Sequence, residues 1–441
     1  MRKTQLFIAL AAVGFAGSAF ATNGMNLEGY GPIATGMGGA SMAYDNGNAA
    51  MMNNPATLGL AGDGSRLDVA LGFLGPNVKN VTSGEKSGGD AYFMPAIGWT
   101  KKSGNLTYGV GMFGQGGMGT EYNLSLDMLQ TGEGERSELG VGRLMAPIAY
   151  NVNDKLTIAG SLDFVWAMLD LKMAMPIANM AGLITPTGAG NGTLTGALNA
   201  LALGGYDNAR LDFSDGNDYT GKARGYGFAG KLGFAYKLSP MVSIGGTYHT
   251  KTNLGDLETG TTGASMIVTD TGGNPTQTVP GKISVRDFQW PETYGIGVSI
   301  QATPSLLVAA DYKRINWKDV MKNFTMTYSA LGDSITFALP QNWDDQNVFQ
   351  IGLSYKATGS LTLRAGVSLS DNPIPDATMH YLFPAIEKNH YTAGLGYAFD
   401  ASSDLNFSLQ FAPKVTQTNS TFGYTVSHSQ TSWQLMYSKR F

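Results

Sequence analysis

The chain has 441 residues, 29 Lys and Arg against 33 Asp and Glu, a formal net charge of −4, 60 glycines and no cysteine. Charged residues make up only 14% of it, where soluble domains carry about 25%, and glycine is about double its usual share of roughly 7%. The lack of a basic excess excludes a nucleic-acid partner, the missing cysteine excludes disulfides and thiolate chemistry, and the glycines show no three-residue collagen period.

In chain order, Arg2 and Lys3, the apolar run 6–15 and the small-x-small triplet Ala19-Phe20-Ala21 read as a secretory signal peptide over residues 1–21, with the mature chain beginning at Thr22. No later run reaches 18 apolar residues, so no transmembrane helix is expected. Residues 22–64 are rich in Gly, Ala, Met and Asn and have little charge and little period-two pattern. Small side chains let such a segment pack inside a lumen, and a plug, or hatch, is expected there, carrying Asn54, Pro55 and Ala56.

From residue 65 the dominant period is two. Tyr226, Phe228, Leu232, Phe234 and Tyr236 share one face, and Gly227, Ala229, Lys231, Gly233 and Ala235 the other. Leu361, Leu363, Ala365, Val367 and Leu369 alternate with Thr362, Arg364, Gly366 and Ser368 in the same way. In a charge-poor exported chain this predicts an all-β fold over 65–441: a transmembrane antiparallel β-barrel with its apolar face to lipid and its small or polar face to the lumen. Strands are expected near 66–79, 90–101, 106–120, 137–150, 156–169, 222–238, 241–253, 291–302, 306–318, 344–357, 360–370, 388–399, 404–415 and 431–441, about fourteen in all. Tyr150, Tyr236, Trp317, Tyr355, Tyr397 and Tyr437 fall near strand ends, where interfacial girdles form. The closing strand, with Trp433, Leu435, Tyr437 and a terminal Phe441, resembles the assembly signal of outer-membrane barrels, which implies the barrel assembly machinery as a partner in biogenesis. Outer-membrane lipid and lipopolysaccharide would surround a protein expected to be a monomer.

Three groups of residues are candidates for function. The long loop 171–220 carries Met173, Met175, Ile177, Met180, Leu183, Leu201 and Leu203, too apolar to sit in water, and is the expected first site for an apolar substrate; a helical lid packed on itself is the other reading. Gly114, Gly116, Gly117 and Gly119 crowd one strand and permit a bend that opens the wall sideways; close packing of the plug against small residues would use the same glycines. Arg143, Arg224 and Arg364, with Lys231, lie on or near small or polar faces and are the candidate cations for a carboxylate head group.

The signals for enzyme chemistry are weak. Gly-x-Gly-x-x-Gly occurs at 109–114 and 225–230, but inside strands that open no helix. His249, His380, His390 and His428 have no metal-ligand spacing. Asp212, Asp215 and Asp218 read as solvated loop charge before they read as an oxygen site for a hard cation. No cofactor, metal or catalytic residue is therefore expected.

The segment Gly36-Met37-Gly38-Gly39-Ala40 followed by Asn54-Pro55-Ala56 resembles the N-terminal hatch of the FadL family, outer-membrane transporters of long-chain fatty acids and other hydrophobic compounds. The resemblance continues through 116–122, 143–147, 251–256, Tyr312-Lys313-Arg314 with Trp317, 363–366 with Pro373 and Pro375, and the terminal 437–441. In character it is similar to the TodX-like branch, associated with aromatic hydrocarbons. It implies a fourteen-stranded barrel of the bacterial outer membrane, a hatch in its lumen, and passive uptake of fatty acids or monoaromatic hydrocarbons through apolar sites and a lateral opening at a kinked third strand. Two other readings remain: a barrel-embedded lipid hydrolase, which needs a Ser/His/acid constellation, and a general diffusion porin, which needs an open lumen with charge rings.

Overall fold

The computed structural model describes residues 23–123, 134–185, 188, 190–270 and 275–441; the signal peptide and its cleavage site lie outside the described residues. The strands are β1 Gly64–Asn80, β2 Tyr92–Ser103, β3 Leu106–Tyr122, β4 Glu135–Asn151, β5 Leu156–Pro176, β6 Tyr206–Phe213, β7 Ala223–Lys237, β8 Val242–His249, β9 Asn253–Leu254, β10 Leu257–Glu258 and β11 Ala264–Asp270. They continue with β12 Pro275–Arg286, β13 Thr293–Thr303, β14 Leu306–Ile315, β15 Asn323–Ala330, β16 Asp333–Pro340, β17 Gln346–Lys356, β18 Leu361–Ser370, β19 His390–Ala398, β20 Ser403–Thr418 and β21 Thr425–Arg440. All belong to one sheet of 21 strands, so the count departs from the expected fourteen.

The antiparallel pairings run in a closed circuit: β1–β2–β3–β4–β5–β7–β8–β13–β14–β17–β18–β19–β20–β21 and back to β1, from Arg66↔Arg440 to Asn80↔Val426. Closure removes the free edges that a sheet would otherwise expose. The added strands come from the long connections. β5 runs on past its ladder with β7 and pairs with β6, and β11, β12, β15 and β16 follow to form a sheet beyond one rim. Sequence periodicity missed these strands because they are two-sided and buried among loops.

Burial is inverted relative to a soluble fold. Leu144, Ile148, Leu162, Phe228, Leu232, Ile296, Phe349 and Phe411 are exposed, while Arg143, Asp163, Gln350 and Ser408 are buried. That pattern suits a wall with lipid outside and a packed polar interior. Tyr150, Tyr355, Tyr397 and Tyr437 stand exposed at the end that carries the short turns, which is the periplasmic end of such barrels. Trp317 does not join them: it is fully buried, 5.6 Å from Trp290 and 5.2 Å from Trp343.

Residues 23–59 are almost entirely buried and bond to the wall on every side. Asn48 N donates to Asp68 on β1 (2.7 Å), Asn54 Nδ2 to Phe234 O on β7 (2.9 Å), Ser41 N to Asp311 on β14 (2.6 Å) and Gly38 N to Thr392 on β19 (2.9 Å). Glycines facing the lumen make this approach possible. A side chain at Gly352 or Gly366 would collide with Met37, and one at Gly245 with the Met42 carbonyl.

Candidate functional site

The third strand is where the wall is interrupted. Its ladder with β4 pairs Gly114 with Gly142 and then Gly116 with Val141, so Gln115 is an extra residue and forms a bulge. On the other side, the ladder between β2 and β3 runs from Ser103↔Leu106 only as far as Ile97↔Met112. β2 nevertheless continues beside β1 to Leu74↔Tyr92. Tyr92–Ala96 and Phe113–Thr120 thus face each other without ladder bonds. The freed backbone of β3 finds other partners: Gly117 N donates to Met25 O (3.1 Å), and higher up Gly88 N donates to Glu121 O (2.7 Å). The stretch between those limits, where β2 and β3 share no ladder, is the candidate window.

Arg143 braces the bulge. It donates to the Gln115 side chain and forms an ion pair with Asp163 at 2.8 Å, and both charged groups are buried. Tyr30 of the N-terminal segment donates to Gln115 O at 2.7 Å. The glycines that follow are tightly used. A side chain at Gly116 would strike the Met25 carbonyl, one at Gly117 the Leu139 carbonyl, and one at Gly119 the Tyr92 hydroxyl and the Glu138 carboxylate. Tyr92 donates to Glu138 at 3.0 Å and so bridges the window near its top. Gly114 and Gly140 are different: a side chain at Gly114 makes ordinary contact with Met94, and one at Gly140 meets open space.

Three cavities meet here. One lies in the lumen against Tyr30, Asp68, Gly98 and Phe113; one of about 140 Å³ reaches from Met25 and Leu27 through the window; one of about 240 Å³ lies outside it against Met112, Trp166 and Tyr219. Met94 borders all three. A cavity of roughly 150 Å³ is large enough for a benzene ring. Asp68, Glu138 and Asp218 are the formally charged residues along them, and no Lys or Arg lines any of the three.

The sequence candidates fare unevenly. Gly114, Gly116, Gly117 and Gly119 all border the window or its cavities. Arg143 is held by Asp163 and Gln115 and faces no head-group space. Arg224 is exposed on the outward face with Tyr226 and Phe228, contrary to its expected lumenal place, and its Nε donates to Gly221 O at 2.8 Å. Arg364 faces the lumen but bonds Asn406 at 3.0 Å, away from the three cavities. Lys231 donates to the Met51 and Met52 carbonyls. Asn54 caps the short 3₁₀ helix Pro55–Leu60 and donates to Met42 O (2.7 Å). Asn54, Pro55 and Ala56 therefore sit against Gly233 and Gly245 of β7 and β8, not beside the window, which is flanked by Met25 and Leu27 instead.

The loop 171–220 also differs from its expected form. Met173, Ile177 and Met180 are buried, and Met175, Leu183 and Leu201 pack against the same cluster; Leu203 alone of the seven is fully exposed, at 91%. Except for Leu203, the apolar residues, on the end of β5 and on or beside two helices, Ile177–Gly182 and Thr193–Leu203, are part of one buried cluster that continues to Met25 and Trp290, so they do not form an open groove. Sequence reasoning missed Met94, Phe113, Gln115, Gly140 and Tyr219. One signal was present: Pro95 has no N–H for a ladder and belongs on an edge, and it lies in the part of β2 that has lost its neighbour.

Comparison with known proteins bears on the family and the barrel. A family model described as "Outer membrane protein transport protein (OMPP1/FadL/TodX)" matches residues 8–438. The Ralstonia pickettii toluene transporter TbuX is 32% identical, with a TM-score of 0.78 over 94% of this chain and 99% of that one. The Pseudomonas putida toluene transporter TodX is 32% identical, with a TM-score of 0.83 over 95% and 100%. CymD, a monoaromatic hydrocarbon channel, is 26% identical, with a TM-score of 0.77 over 95% and 99%. A curated relative from Chlorobium limicola, an uncharacterized protein in a phosphoenolpyruvate carboxykinase gene 5' region, is 45% identical over 99 residues, which span 22% of this chain and 49% of the relative. The match over nearly the whole chain, on a closed β-barrel, shows that the protein belongs to the OMPP1/FadL/TodX family of outer-membrane transport proteins.

Proposed function

We propose that this protein passes uncharged apolar molecules of the monoaromatic hydrocarbon class through the outer membrane and releases them sideways between β2 and β3. The lining of the three joined cavities carries the reading: they offer apolar surface and three carboxylate residues, with no Lys or Arg to neutralise an acid cargo. Burying about 150 Å² of an aromatic ring gains roughly 4 kcal/mol. That corresponds to a millimolar dissociation constant, weak enough for cargo to leave again. A carboxylate would lose its hydration against these linings with no Lys or Arg along them to receive it, at several kcal/mol. The TbuX, TodX and CymD relatives support the same cargo class.

In this reading the lipid-facing wall is the fourteen-strand circuit, residues 22–64 are its plug, and the protein works as a monomer without a cofactor. The bulge at Gln115 and the glycines beside it shape the outlet. Uptake into liposomes tests the cargo class, with toluene against benzoate and a long-chain fatty acid. Toluene should enter at least about a hundredfold faster through the protein, the ratio that some 3 kcal/mol produces. Equal or faster passage of the acids refutes the assignment.

A further inference from the structure

The connection from β6 to β7, residues 214–222, crosses the outer face of the window. β5 changes partner there, from Leu169↔Ala223 on β7 to Leu171↔Phe213 on β6, and Asp170 stands at the fork. Asp170 is on the outward face with Trp166 and Met168, yet it is fully buried, because the connection covers it. Its carboxylate accepts from Ser214 Oγ, Asp215 N and Lys222 N, each at 2.8 Å, so one side chain pins both ends of the segment. Within the segment, Thr220 Oγ1 donates to Asp215 at 2.7 Å and Tyr219 N to Asn217 at 2.8 Å.

The middle of this strap reaches the site. Asp218 and Tyr219 border both the cavity that runs through the window and the one outside it. Asp218 pairs with Arg136 at 2.9 Å, and Arg136 also holds Glu121 at the end of β3 at 3.0 Å. Tyr219 remains 54% exposed, with its ring at the outer cavity.

We propose that residues 214–222 form a shutter over the window: Tyr219 is the blade, Asp170 the hinge pin, and the Arg136–Asp218 pair the latch. This rests on the sideways release proposed above and says what regulates it. Cargo leaving between β2 and β3 meets Tyr219 before it meets lipid, so the shutter sets the rate of release. The Asp218 side of the latch is 45% exposed. Arg136 is only 4% exposed, but solvent reaches the Asp218 carboxylate and screens the pair, so Asp218→Asn should raise uptake on the order of two- to fivefold.

The chain has no cysteine, so Tyr219→Cys creates a unique thiol. In proteoliposomes the unlabelled variant, which lacks the blade, should take up toluene faster than the native protein, and a rate at or below the native one counts against the shutter. A bulky maleimide on that thiol should lower uptake at least tenfold, whereas the same label on Leu331→Cys, at an exposed hairpin tip that lines none of the three cavities, should not. Gly140→Phe, which fills the window from its open side, separates the two ideas. If Gly140→Phe stops uptake and the label at 219 has no effect, the shutter is overturned and sideways release stands. If Gly140→Phe transports at the native rate, sideways release falls and the shutter falls with it.

Discussion

Filling the window at Gly140 is the most direct test of the route. Gly140 borders the cavity through the window and the cavity outside it, and a side chain there meets nothing within 4 Å. The neighbouring glycines do not offer this freedom. Replacing Gly116 or Gly117 drives the new side chain into the Met25 or Leu139 carbonyl, which disturbs the plug or the β3–β4 ladder along with the window. Glycine weakens a strand and an aromatic residue favours one, so Gly140→Phe should not harm assembly. The phenyl ring would rest among Phe93, Met94 and Trp166. Cargo must displace it, and returning a buried Phe to an exposed state costs about 1.5–3 kcal/mol. At 1.36 kcal/mol per decade the uptake rate should fall roughly ten- to hundredfold. The assay is toluene uptake into liposomes, with heat-modifiable migration on gels as the check on folding. A folded Gly140→Phe protein with undiminished uptake would falsify sideways release and favour passage along the barrel axis.

Arg143→Ala strands a buried Asp163 carboxylate and should cost on the order of 3–5 kcal/mol in urea unfolding; a loss below about 1 kcal/mol contradicts its bracing role. Met94→Ala widens the point where the three cavities meet and should raise uptake of bulkier alkylbenzenes relative to benzene by on the order of tenfold; an unchanged ratio rules Met94 out as the throat. Met173→Asn with Met180→Asn puts two amides into the outer core at about 1–3 kcal/mol each. Proteolysis should then cut near 171–185, and native-like protection would show that this core is dispensable. Burial raises the Glu28 carboxyl from 4.5 to about 7, with its own backbone amide and Lys313 pulling the other way. The folded state then binds a proton that the unfolded chain has released, so stability falls as pH rises from about 4.5 to about 7. Glu28→Gln should remove that slope, worth on the order of 3 kcal/mol, and equal slopes in the two proteins would speak against a titrating Glu28.

The wall was legible because its two environments differ along every strand. Phe228 and Leu232 face out while Ala229 and Lys231 face in, and a period of two records that contrast directly. The outer sheet was not legible because Met173, Leu211 and Met266 pack in a core with no lipid face, and their pattern reads the same as an apolar loop. The cations misled for a related reason. Period and face place Arg143 in the lumen correctly, but its commitment to Asp163 and Gln115 depends on strands β3, β4 and β5 lying side by side, which no local pattern encodes. The same holds for the tryptophans. Trp290 and Trp343 lie in connections, and only the folded chain sets them edge-to-face against Trp317 and puts the Trp290 indole on Asn26 at 3.2 Å.

The break in the β2–β3 ladder needs an explanation, since unbonded N–H and C=O groups in hydrocarbon cost several kcal/mol each. The structure supplies one from two directions. From the lumen, the Met25 carbonyl takes the Gly117 N–H that β2 no longer reaches, and Asn26 forms a bridge with Gly116. From above, the β1–β2 connection closes on Glu121 through Gly88 and Ser87. Pro95 lowers the demand further, because it brings no N–H to the open edge. The N-terminal segment therefore packs against the inner side of the strand circuit and supplies β3 with the backbone partners that β2 does not. Its first residues sit beside the bulge of β3, and its Asn54 end is tied to β7 by the hydrogen bond to Phe234 O and to its own segment by the one to Met42 O. On the sideways route proposed above, an opening that takes its backbone partners from Met25 and Asn26 admits an aromatic ring only while those residues stay docked. For this reason the glycines of β3 cannot be read as mere flexibility: at Gly116 the absent side chain is the space that the plug occupies.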